Sequence, residues 1–209
     1  ISVCLGIGMG LFNPASNFTC GNGPRSIATG DFNGDGNNDL VTANYSSNSV
    51  SILIGDGSGG FSVPFDISVG INPHSITIDD FTNDGLPDFT TANIGSDNVS
   101  IRLGNGFGSF TGSTEVSVGT NPRTVATGDF NGDGHTDLAT TDYSANAVSI
   151  RLGNGTGGFT GTNSIASGDS PFSLAIGDFN SDGKQDIVTS NAGSNDISVM
   201  LGSNNVIQV

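Results

Sequence analysis

Four short acidic segments carry the residue types with the clearest chemistry in this chain. Each begins with Asp-Phe, has glycine at its sixth position and ends with a second aspartate at its ninth position. They read DFNGDGNND, DFTNDGLPD, DFNGDGHTD and DFNSDGKQD, and they start at Asp31, Asp80, Asp129 and Asp178. We call them acidic loops 1 to 4. Oxygen-bearing side chains at alternate positions of a tight turn are donors that a hard divalent cation prefers.

Calcium takes six to eight oxygen ligands at about 2.3–2.6 Å. Side chains at positions 1, 3 and 5 converge only if the chain curls tightly. Glycine at position 6 permits that curl because it adopts backbone conformations that other residues avoid. We expect the backbone carbonyl of position 7 and the carboxylate of position 9 to complete each site. The sequence therefore predicts about four Ca²⁺ ions, one in each acidic loop.

The predicted ligands occupy the same five positions in every loop. They are Asp31, Asn33, Asp35, the Asn37 carbonyl and Asp39 in loop 1; Asp80, Thr82, Asp84, the Leu86 carbonyl and Asp88 in loop 2; Asp129, Asn131, Asp133, the His135 carbonyl and Asp137 in loop 3; and Asp178, Asn180, Asp182, the Lys184 carbonyl and Asp186 in loop 4. We expect loop 2 to bind more weakly, because threonine replaces asparagine at position 3. The competing interpretation is that these segments are ordinary Asp/Asn/Gly turns without metal.

Two other metal sites fit the loops less well than calcium. An EF-hand needs glutamate at position 12 and helices on both sides. Position 12 is threonine in all four loops, and the flanking segments are strand-like. Magnesium is disfavoured because it keeps several waters and accepts few protein ligands.

The acidic loops recur every 49 residues without insertion or deletion, so they belong to an internal repeat. In the first complete copy, strand-like segments cover 25–30, 39–44, 49–54 and 64–69, and Gly, Asn, Asp and Pro fill the gaps. No window has a helical period, so we expect essentially no helix. One four-stranded sheet cannot cover both of its faces and must pack on its neighbours.

The repeat divides the chain into five segments. They are a partial repeat over 1–24 with the third and fourth strands, repeats over 25–73, 74–122 and 123–171, and a partial repeat over 172–209. The chain opens at Ile1 inside a strand pattern, which we interpret as a mature product or an excised segment. We predict an all-β fold of tandem four-stranded antiparallel repeats.

This unit resembles the FG-GAP (VCBS-type) repeat of integrin α-subunit heads, some fungal lectins and many secreted bacterial proteins. The GDFNGDG loop, the D-L/I-V-T/A strand after it and the later LGNGxGxF turn carry the resemblance over essentially the whole chain. It implies β-propeller blades, with the loop residues named above as calcium ligands in the hairpin between the first two strands. Propellers of this family usually have seven blades. The repeats therefore form part of a larger propeller, a four-bladed ring or an open tandem array.

The charge balance excludes several partners. The formal net charge is -15, from 20 Asp and Glu against 5 Lys and Arg, which disfavours nucleic acid and anionic membranes. No apolar run approaches the roughly 18 residues of a membrane-spanning helix. Extracellular calcium modules bind at about 10⁻⁴–10⁻³ M, which suits a millimolar exterior. We therefore expect a secreted or cell-surface protein.

The remaining reactive residues do not form a catalytic set. The two histidines, His74 and His135, occupy different repeat positions, and no Ser/His/Asp or Cys/His arrangement can be assembled. We therefore expect no enzymatic activity. The pairs Arg102/Arg151 and Arg25/Arg123 each share a repeat position, and we expect solvated strand residues that could meet an acidic partner as a row.

Three further features bear on packing and processing. Cys4 and Cys20 either form a disulfide across adjacent strands or remain as two buried free thiols. Sequons at Asn17, Asn44, Asn98 and Asn154 are candidate N-glycan sites if the source glycosylates secreted proteins. The phenylalanines at position 2 of the loops are expected to wedge between neighbouring repeats: Phe32, Phe81, Phe130 and Phe179.

These expectations favour an extracellular structural or adhesive protein in which calcium stiffens repeated β-units. Its partners would be further copies of itself, another extracellular protein or a glycan, and the chain would suit a segment of a longer tandem array or filament. The alternative is a carbohydrate-binding lectin of the FG-GAP propeller type, suggested by the resemblance alone. Only two aromatic residues, Tyr45 and Tyr143, lie in the variable loops where sugars would stack.

Overall fold

The computed structural model describes residues 1–203, apart from the side chain of Thr162. The end of the partial repeat predicted over 172–209 therefore lies outside the described residues. Every regular element within 1–203 is a β-strand, and no helix occurs there. This agrees with the alternation of β-branched residues and turn residues along the chain.

Nineteen strands follow one another along the chain. The first four are short: β1 (Ser2–Val3), β2 (Gly6–Gly8), β3 (Leu11–Phe12) and β4 (Ser16–Asn17). The next eight are β5 (Pro24–Gly30), β6 (Asp39–Asn44), β7 (Ser49–Leu53), β8 (Phe65–Ser68), β9 (Pro73–Asp79), β10 (Asp88–Asn93), β11 (Asn98–Gly104) and β12 (Phe110–Ser117). The last seven are β13 (Pro122–Gly128), β14 (Asp137–Asp142), β15 (Ala147–Gly153), β16 (Phe159–Ala166), β17 (Pro171–Gly177), β18 (Asp186–Asn191) and β19 (Asp196–Met200).

The strands form four antiparallel sheets in sequence order, which we call blades 1 to 4. Blades 1, 2 and 3 have four strands each, β5–β8, β9–β12 and β13–β16, and blade 4 has three, β17–β19. In the N-terminal segment, β1 pairs with β4 and β2 pairs with β3. The tandem four-stranded antiparallel architecture predicted from the 49-residue repeat is confirmed.

The blades pack side by side as an open array. The first strands contact one another in order, β5 on β9, β9 on β13 and β13 on β17. Ile27 in β5 is 51% exposed, whereas its counterpart Ile76 in β9 is 6% exposed because blade 1 covers it. At the other end, Ile197 in β19 is 68% exposed and its counterpart Val148 is fully buried. Residues 1–203 therefore form an open array of blades and not the predicted closed four-bladed ring.

The hydrophobic core lies between blades rather than within them. One cluster joins Phe32, Val41 and Val50 of blade 1 to Ile76 and Phe89 of blade 2. The Phe32 ring meets the ring of Phe110 edge-on at 5.4 Å between centroids, a favourable geometry for aromatic pairs. Phe81 meets Phe159 of blade 3 in the same way at 5.6 Å. The predicted wedge role is thus confirmed for the first two loops, and Phe130 packs, partly buried, against the cluster that includes residues of blade 4. Phe179 is exposed where no further blade covers it.

Arg102 and Arg151 do not lie in solvent as predicted. Both are buried, because each lies in the third strand of an inner blade, where backbone carbonyls accept its guanidinium hydrogen bonds. A buried charge is tolerated only with such partners.

Two other sequence-based expectations are corrected. The sequon at Asn44 is not an acceptor site in the folded chain, because this side chain is fully buried and donates hydrogen bonds to Ser49 and Ser51. The two cysteines are free thiols, but they are not buried: Cys4 is exposed and Cys20 is partly exposed.

Candidate metal centre

Each acidic loop is the hairpin connection between the first two strands of its blade. In blade 1, Gly30 at the end of β5 pairs with Asp39 at the start of β6, so the loop is closed by the strand register. The same pairing joins Asp79 to Asp88, Gly128 to Asp137 and Gly177 to Asp186. The sheet therefore fixes both ends of every loop, and positions 1 and 9 lie next to each other.

The aspartate at position 1 organises the loop through backbone hydrogen bonds. In loop 1, Asp31 Oδ1 accepts from the N–H groups of Gly34 at 2.8 Å and Asp35 at 3.2 Å, while Oδ2 accepts from Gly36 at 2.8 Å. Gly36 has φ +83°, and the position-6 glycines of the other loops have φ between +80° and +84°. The predicted reason for glycine at position 6 is therefore confirmed, since L-residues rarely adopt this conformation.

The residues at positions 3 and 5 form reciprocal hydrogen bonds. Asn33 Nδ2 donates to Asp35 Oδ2 at 2.8 Å, and Asn33 Oδ1 accepts from the Asp35 N–H at 3.1 Å. Asn131 and Asp133 of loop 3 repeat this reciprocal pair. Loop 2 lacks this reciprocal pair: the N–H and the hydroxyl of Thr82 both donate to Asp80 Oδ1, at 3.0 Å and 3.4 Å. The threonine at position 3 therefore changes the hydrogen bonding of loop 2, and weaker ion binding by this loop stays a prediction.

The N–H of position 7 closes each turn on the carboxylate of position 5. The donors are Asn37, Leu86, His135 and Lys184, at 2.8–3.0 Å from their acceptors. The hydrogen bond from Asn33 and the one from Asn37 lower the pKa of Asp35. In Asp133, the His135 N–H is the main cause of the lowered pKa. Both carboxylates therefore stay ionised, as cation ligands must be.

The aspartate at position 9 is the most constrained member of the set. It is fully buried in all four loops. In loop 1 its two oxygens accept from the N–H groups of Phe32 at 2.8 Å and Gly55 at 2.7 Å. The same two bonds occur in the other loops, with glycines 104, 153 and 202 as the second donors. Position 9 therefore ties the acidic loop to the end of the third strand.

Burial perturbs the position-9 carboxylates of the inner loops. The pKa of Asp88 is raised to about 6, mainly by desolvation and also by the negative charges of Asp84 and Asp80. Asp137 has its pKa raised to about 6 for the same reason, with Asp133 and Asp129 as the charged neighbours. Three carboxylates in one loop are thus close enough to repel, and a cation among them would remove that repulsion.

The glycine that follows the third strand belongs to this centre, although no role was predicted for it from the sequence. Besides donating its N–H to position 9, Gly55 lies so close to the loop that a Cβ would collide with the Asn38 carbonyl oxygen. Gly104 and Gly153 face the equivalent carbonyls of Pro87 and Thr136. The recurrence of glycine at this repeat position was the available signal, and the close backbone approach is its physical cause.

The donor set fits calcium in kind. Loops 1, 3 and 4 bring together carboxylate, amide and carbonyl oxygens, and loop 2 has the Thr82 hydroxyl in place of the amide. All of these are hard oxygen ligands of the kind that Ca²⁺ selects. Within residues 1–203, however, no group of three or more His, Cys, Asp or Glu side chains is arranged to hold a metal ion. The carboxylates are instead turned onto backbone N–H groups of their own loop. Ion binding would therefore draw on carboxylate oxygens that already accept hydrogen bonds.

Two loops carry an additional charged or titratable group. In loop 4, Lys184 Nζ forms an ion pair with Asp182 Oδ2 at 3.1 Å, so part of the negative charge is already neutralised. In loop 3, His135 Nδ1 lies 2.8 Å from Asn83 Nδ2 of loop 2, which connects neighbouring loops. Neither contact was foreseen, because both depend on side chains at positions expected to contribute only a carbonyl.

The fold and these loops define a class: tandem β-sheet blades that each carry an acidic hairpin between their first two strands. A family model described as an FG-GAP-like repeat matches residues 31–91, 80–140 and 129–189. These overlapping matches cover well over half of the chain. The chain belongs to the FG-GAP-like repeat family.

Solved structures share the fold at low sequence identity. A lectin of Agrocybe aegerita that recognises non-reducing terminal N-acetylglucosamine superposes with a TM-score of 0.62 at 18% identity, covering 100% of this chain and 58% of that one. A protein of unknown function from Desulfotomaculum acetoxidans gives 0.68 at 16% identity, covering 95% and 60%. BBS1N, solved in complex with ARL6DN, gives 0.60 at 15% identity, covering 91% and 56%.

These similarities establish the fold and nothing finer. The present chain spans somewhat more than half the length of each of the three proteins. No curated protein matches the sequence. Among the described residues, no helix is long and apolar enough to cross a membrane.

Proposed function

We propose that this protein is an extracellular structural or adhesive repeat protein that is stabilised by Ca²⁺ and has no catalytic activity. One observation carries the proposal. In four equivalent loops, a fully buried aspartate shares a nine-residue turn with two further carboxylates. Buried carboxylates are costly unless a cation or strong hydrogen bonds compensate them.

Calcium would supply the missing positive charge. The ligands in loop 1 would be Asp31, Asn33, Asp35, the Asn37 carbonyl and Asp39, with the equivalent residues in loops 2 to 4. If free calcium exceeds each dissociation constant about tenfold, linkage gives about 1.4 kcal/mol per site and about 6 kcal/mol for four sites. That total equals the stability of a typical domain, so we propose that calcium is structural here.

Thermal unfolding with and without calcium tests this function. We expect the melting temperature to fall strongly in excess EDTA and to return with Ca²⁺, with calorimetric titration giving about four sites per chain. Asp133→Asn should lower the stoichiometry by one. Asp56→Asn is the matched control, because Asp56 lies in the glycine-rich turn after the third strand, where its carboxylate caps Ser58 and Gly60 outside the acidic loops. An unchanged melting temperature in EDTA would contradict the proposal.

A structural or adhesive role is supported by the surfaces of blades 1 and 4. The outer faces expose Ile27 at one end and Ile197, Val199 and Phe179 at the other. The equivalent residues between inner blades are the apolar core, so a second copy is the partner whose shape and polarity match best. Sedimentation velocity in calcium should show concentration-dependent association, and Ile197→Asp should reduce it. A monomer at every concentration would remove self-association.

Carbohydrate binding is the second candidate function. It is supported by the fold shared with the Agrocybe aegerita lectin, which covers the whole of this chain. Fold alone is a weak guide to a ligand, because one fold hosts many functions. A glycan array probed with the calcium-loaded protein tests it, and the absence of any bound glycan would exclude this function.

A further inference from the structure

A side chain at position 4 of acidic loop 2 reaches acidic loop 3. Asn83 Nδ2 lies 2.8 Å from Nδ1 of His135, the residue at position 7 of loop 3. We call this pair the loop bridge. Loops 1 and 3 have glycine at position 4, Gly34 and Gly132, so no side chain at that position can reach the next loop. The bridge is therefore specific to the junction between loops 2 and 3.

The glycine-rich turn of blade 3 lies directly against the loop bridge. A Cβ on Gly155 would collide with both bridging atoms, His135 Nδ1 and Asn83 Nδ2. The backbone at Gly155 has φ +69°, which L-residues rarely adopt. Glycine at this position therefore leaves the room in which the two side chains meet.

The same two loops are also connected through the backbone of this turn. The Phe81 N–H donates to Asp88 Oδ2 at 2.9 Å, and the Phe81 carbonyl accepts from the Gly157 N–H at 2.9 Å. The turn begins at Gly153, whose N–H donates to Asp137 Oδ1 at 2.8 Å. Hydrogen bonds therefore lead, through the turn, from the position-9 aspartate of loop 2 to that of loop 3.

The loop bridge is attached to predicted ligand positions in both loops. Asn83 lies between Thr82 and Asp84, at positions 3 and 5 of loop 2. The N–H of His135 donates to Asp133 Oδ1 at 2.9 Å, and the His135 carbonyl is the predicted ligand at position 7. Neither bridging side chain is a predicted ligand, so each can be changed without removing a donor to the ion.

Fixing one of these loops should make it easier to fix the other. An ion orders the turn that surrounds it, and the entropy lost in ordering a shared contact counts only once for the two sites. Electrostatics acts in the opposite direction, because a filled loop is less negative than an empty one and attracts a second cation less. The sign of the coupling between the sites therefore separates the two causes.

We propose that acidic loops 2 and 3 bind Ca²⁺ with positive cooperativity, and that the contact between Asn83 and His135 couples the two sites. This inference rests on the proposed calcium binding and adds how two of the loops depend on each other. Both residues act as positioning residues, since neither supplies a side-chain ligand. The coupling would offset part of the weaker binding that Thr82 predicts for loop 2.

A calcium titration followed by ¹⁵N NMR spectroscopy tests the proposal, because every loop carries its own reporter. The N–H of the position-6 glycine donates to the position-1 aspartate in each loop, so its chemical shift follows the occupancy of that loop. The reporters for loops 1 to 4 are Gly36, Gly85, Gly134 and Gly183. If no reporter shifts, calcium binding itself is wrong; if all four shift, the variants below decide the coupling alone.

Disabling loop 2 measures the coupling. Asp84→Asn removes a ligand carboxylate of loop 2, and we expect Gly134 to report about threefold to tenfold weaker calcium binding in loop 3, the effect of about one hydrogen bond. The reverse variant Asp133→Asn should weaken loop 2 by the same factor, because coupling is reciprocal. Asp182→Asn in loop 4 is the matched control and should leave loop 2 unchanged.

The opposite result would overturn the proposal. Electrostatics alone predicts tighter binding in loop 3 when loop 2 stays empty, because the empty loop is more negative than a filled one. Unchanged or tighter binding in loop 3 of Asp84→Asn would therefore exclude positive cooperativity. If Asp84→Asn does not fold, Asp133→Asn gives the same test in the reverse direction.

Variants of the bridge assign the coupling to its residues. Asn83 has φ +57°, so Asn83→Gly deletes the side chain without straining the turn. His135→Leu gives loop 3 the position-7 residue of loop 2, which cannot accept a hydrogen bond. In both backgrounds all four reporters should still shift, but Asp84→Asn should no longer weaken binding in loop 3. Ser181→Gly, at position 4 of loop 4 with φ +62°, is the matched control and should leave the coupling intact.

Persistence of the coupling in both bridge variants would overturn the assignment to Asn83 and His135. The backbone connection through Gly157 would then be its carrier. Loss of the coupling in the bridge variants, with calcium still bound in every loop, supports the side-chain contact as the link between the two sites.

Discussion

Blades 2 and 3 bury an arginine at the same repeat position but supply the neighbouring negative charge from different strands. In blade 2, Arg102 of β11 forms an ion pair with Glu115 of β12 at 2.9 Å. In blade 3, Arg151 of β15 donates to backbone carbonyls, and the acid whose charge acts on it is Asp142 of β14. The acid near the buried arginine thus lies in the fourth strand of blade 2 but in the second strand of blade 3.

At each of these two repeat positions, one blade has the acid and the other has an uncharged polar residue. Blade 2 has Asn93 where blade 3 has Asp142, and blade 3 has Ser164 where blade 2 has Glu115. Blades 1 and 4, which have Leu53 and Met200 in place of the arginine, keep asparagine at the position of Asp142. A repeat can therefore change where a buried charge is compensated while its strand register stays the same.

Among the variants that test this comparison, Arg151→Met should cause the largest loss of stability. Arg151→Met gives blade 3 the residue of blade 4 but leaves Asp142 fully buried without a cation. We expect a loss of about 3 kcal/mol in the free energy of unfolding at pH 7, because the Ser117 and Ile150 carbonyls lose a buried donor and the buried charge of Asp142 loses a compensating cation. Urea denaturation measures it. A loss below about 1 kcal/mol would show that Asp142 is satisfied by Ser149 and Thr140 alone.

Neutralising the partner in blade 2 should cost less. Glu115→Gln removes the charge but keeps an acceptor for Arg102, and the Glu115 side chain is 36% exposed. We expect a loss of about 1–2 kcal/mol, because water and the Ser68 carbonyl still solvate the guanidinium. The same urea denaturation decides it. A loss as large as that of Arg151→Met would mean that both blades depend equally on their carboxylate.

The pH dependence of stability should differ between wild type and Asp142→Asn. Burial, the main cause, raises the pKa of Asp142 in the folded chain, against the hydrogen bonds from Ser149 and Thr140. A raised folded pKa gives stability that is present below the unfolded pKa of about 3.9 and is lost as pH rises through the folded value. The wild type should therefore lose stability against the variant in that window, by at most about 1.4 kcal/mol per pH unit.

Saturating calcium isolates this effect from the acidic loops, which are identical in the two proteins. Chemical denaturation between pH 4 and pH 7 gives the difference directly. Parallel stability curves for the two proteins would refute the assignment to Asp142.

The double variant Asp142→Asn/Arg151→Met should have the smallest effect. It gives blade 3 the uncharged pair that blade 4 has in Asn191 and Met200. Replacing two buried opposite charges together by uncharged residues is often neutral or stabilising, so we expect a change within about 1 kcal/mol of wild type or a gain. A double-mutant cycle with the two single variants measures the coupling energy. Additive losses would show that the two residues do not interact.

The sequence predicted the repeated features well. The strands, the hairpin position of the loops and the left-handed glycine at position 6 all follow from short-range chemistry that every copy repeats. The wedge role of Phe32 followed as well, because a four-stranded unit must bury its apolar face on a neighbour. Calcium binding itself remains a prediction, since the described carboxylates bond to backbone N–H groups.

Features that depend on neighbouring blades were missed. The burial of Arg102 and Arg151 could not be read from strand alternation, because it depends on how the third strand lies between sheets. The hydrogen bond from Gly55 to the position-9 aspartate could not be predicted, because it depends on how close the acidic loop lies to the end of the third strand. The edge-on contact between the His74 and Phe172 rings could not be predicted either. It depends on the curvature of the array, which no single repeat encodes.

A backbone hydrogen bond joins an acidic loop to the next blade and couples the two units. The Phe32 carbonyl of loop 1 accepts a hydrogen bond from Gly108 of blade 2 at 2.7 Å, and the Phe81 carbonyl of loop 2 accepts one from Gly157 of blade 3 at 2.9 Å. A turn that stiffens therefore also fixes the outer turn of the next unit. Thermal unfolding should then spread from one blade to the next. A pulling force along the array should be carried by each of these hydrogen bonds.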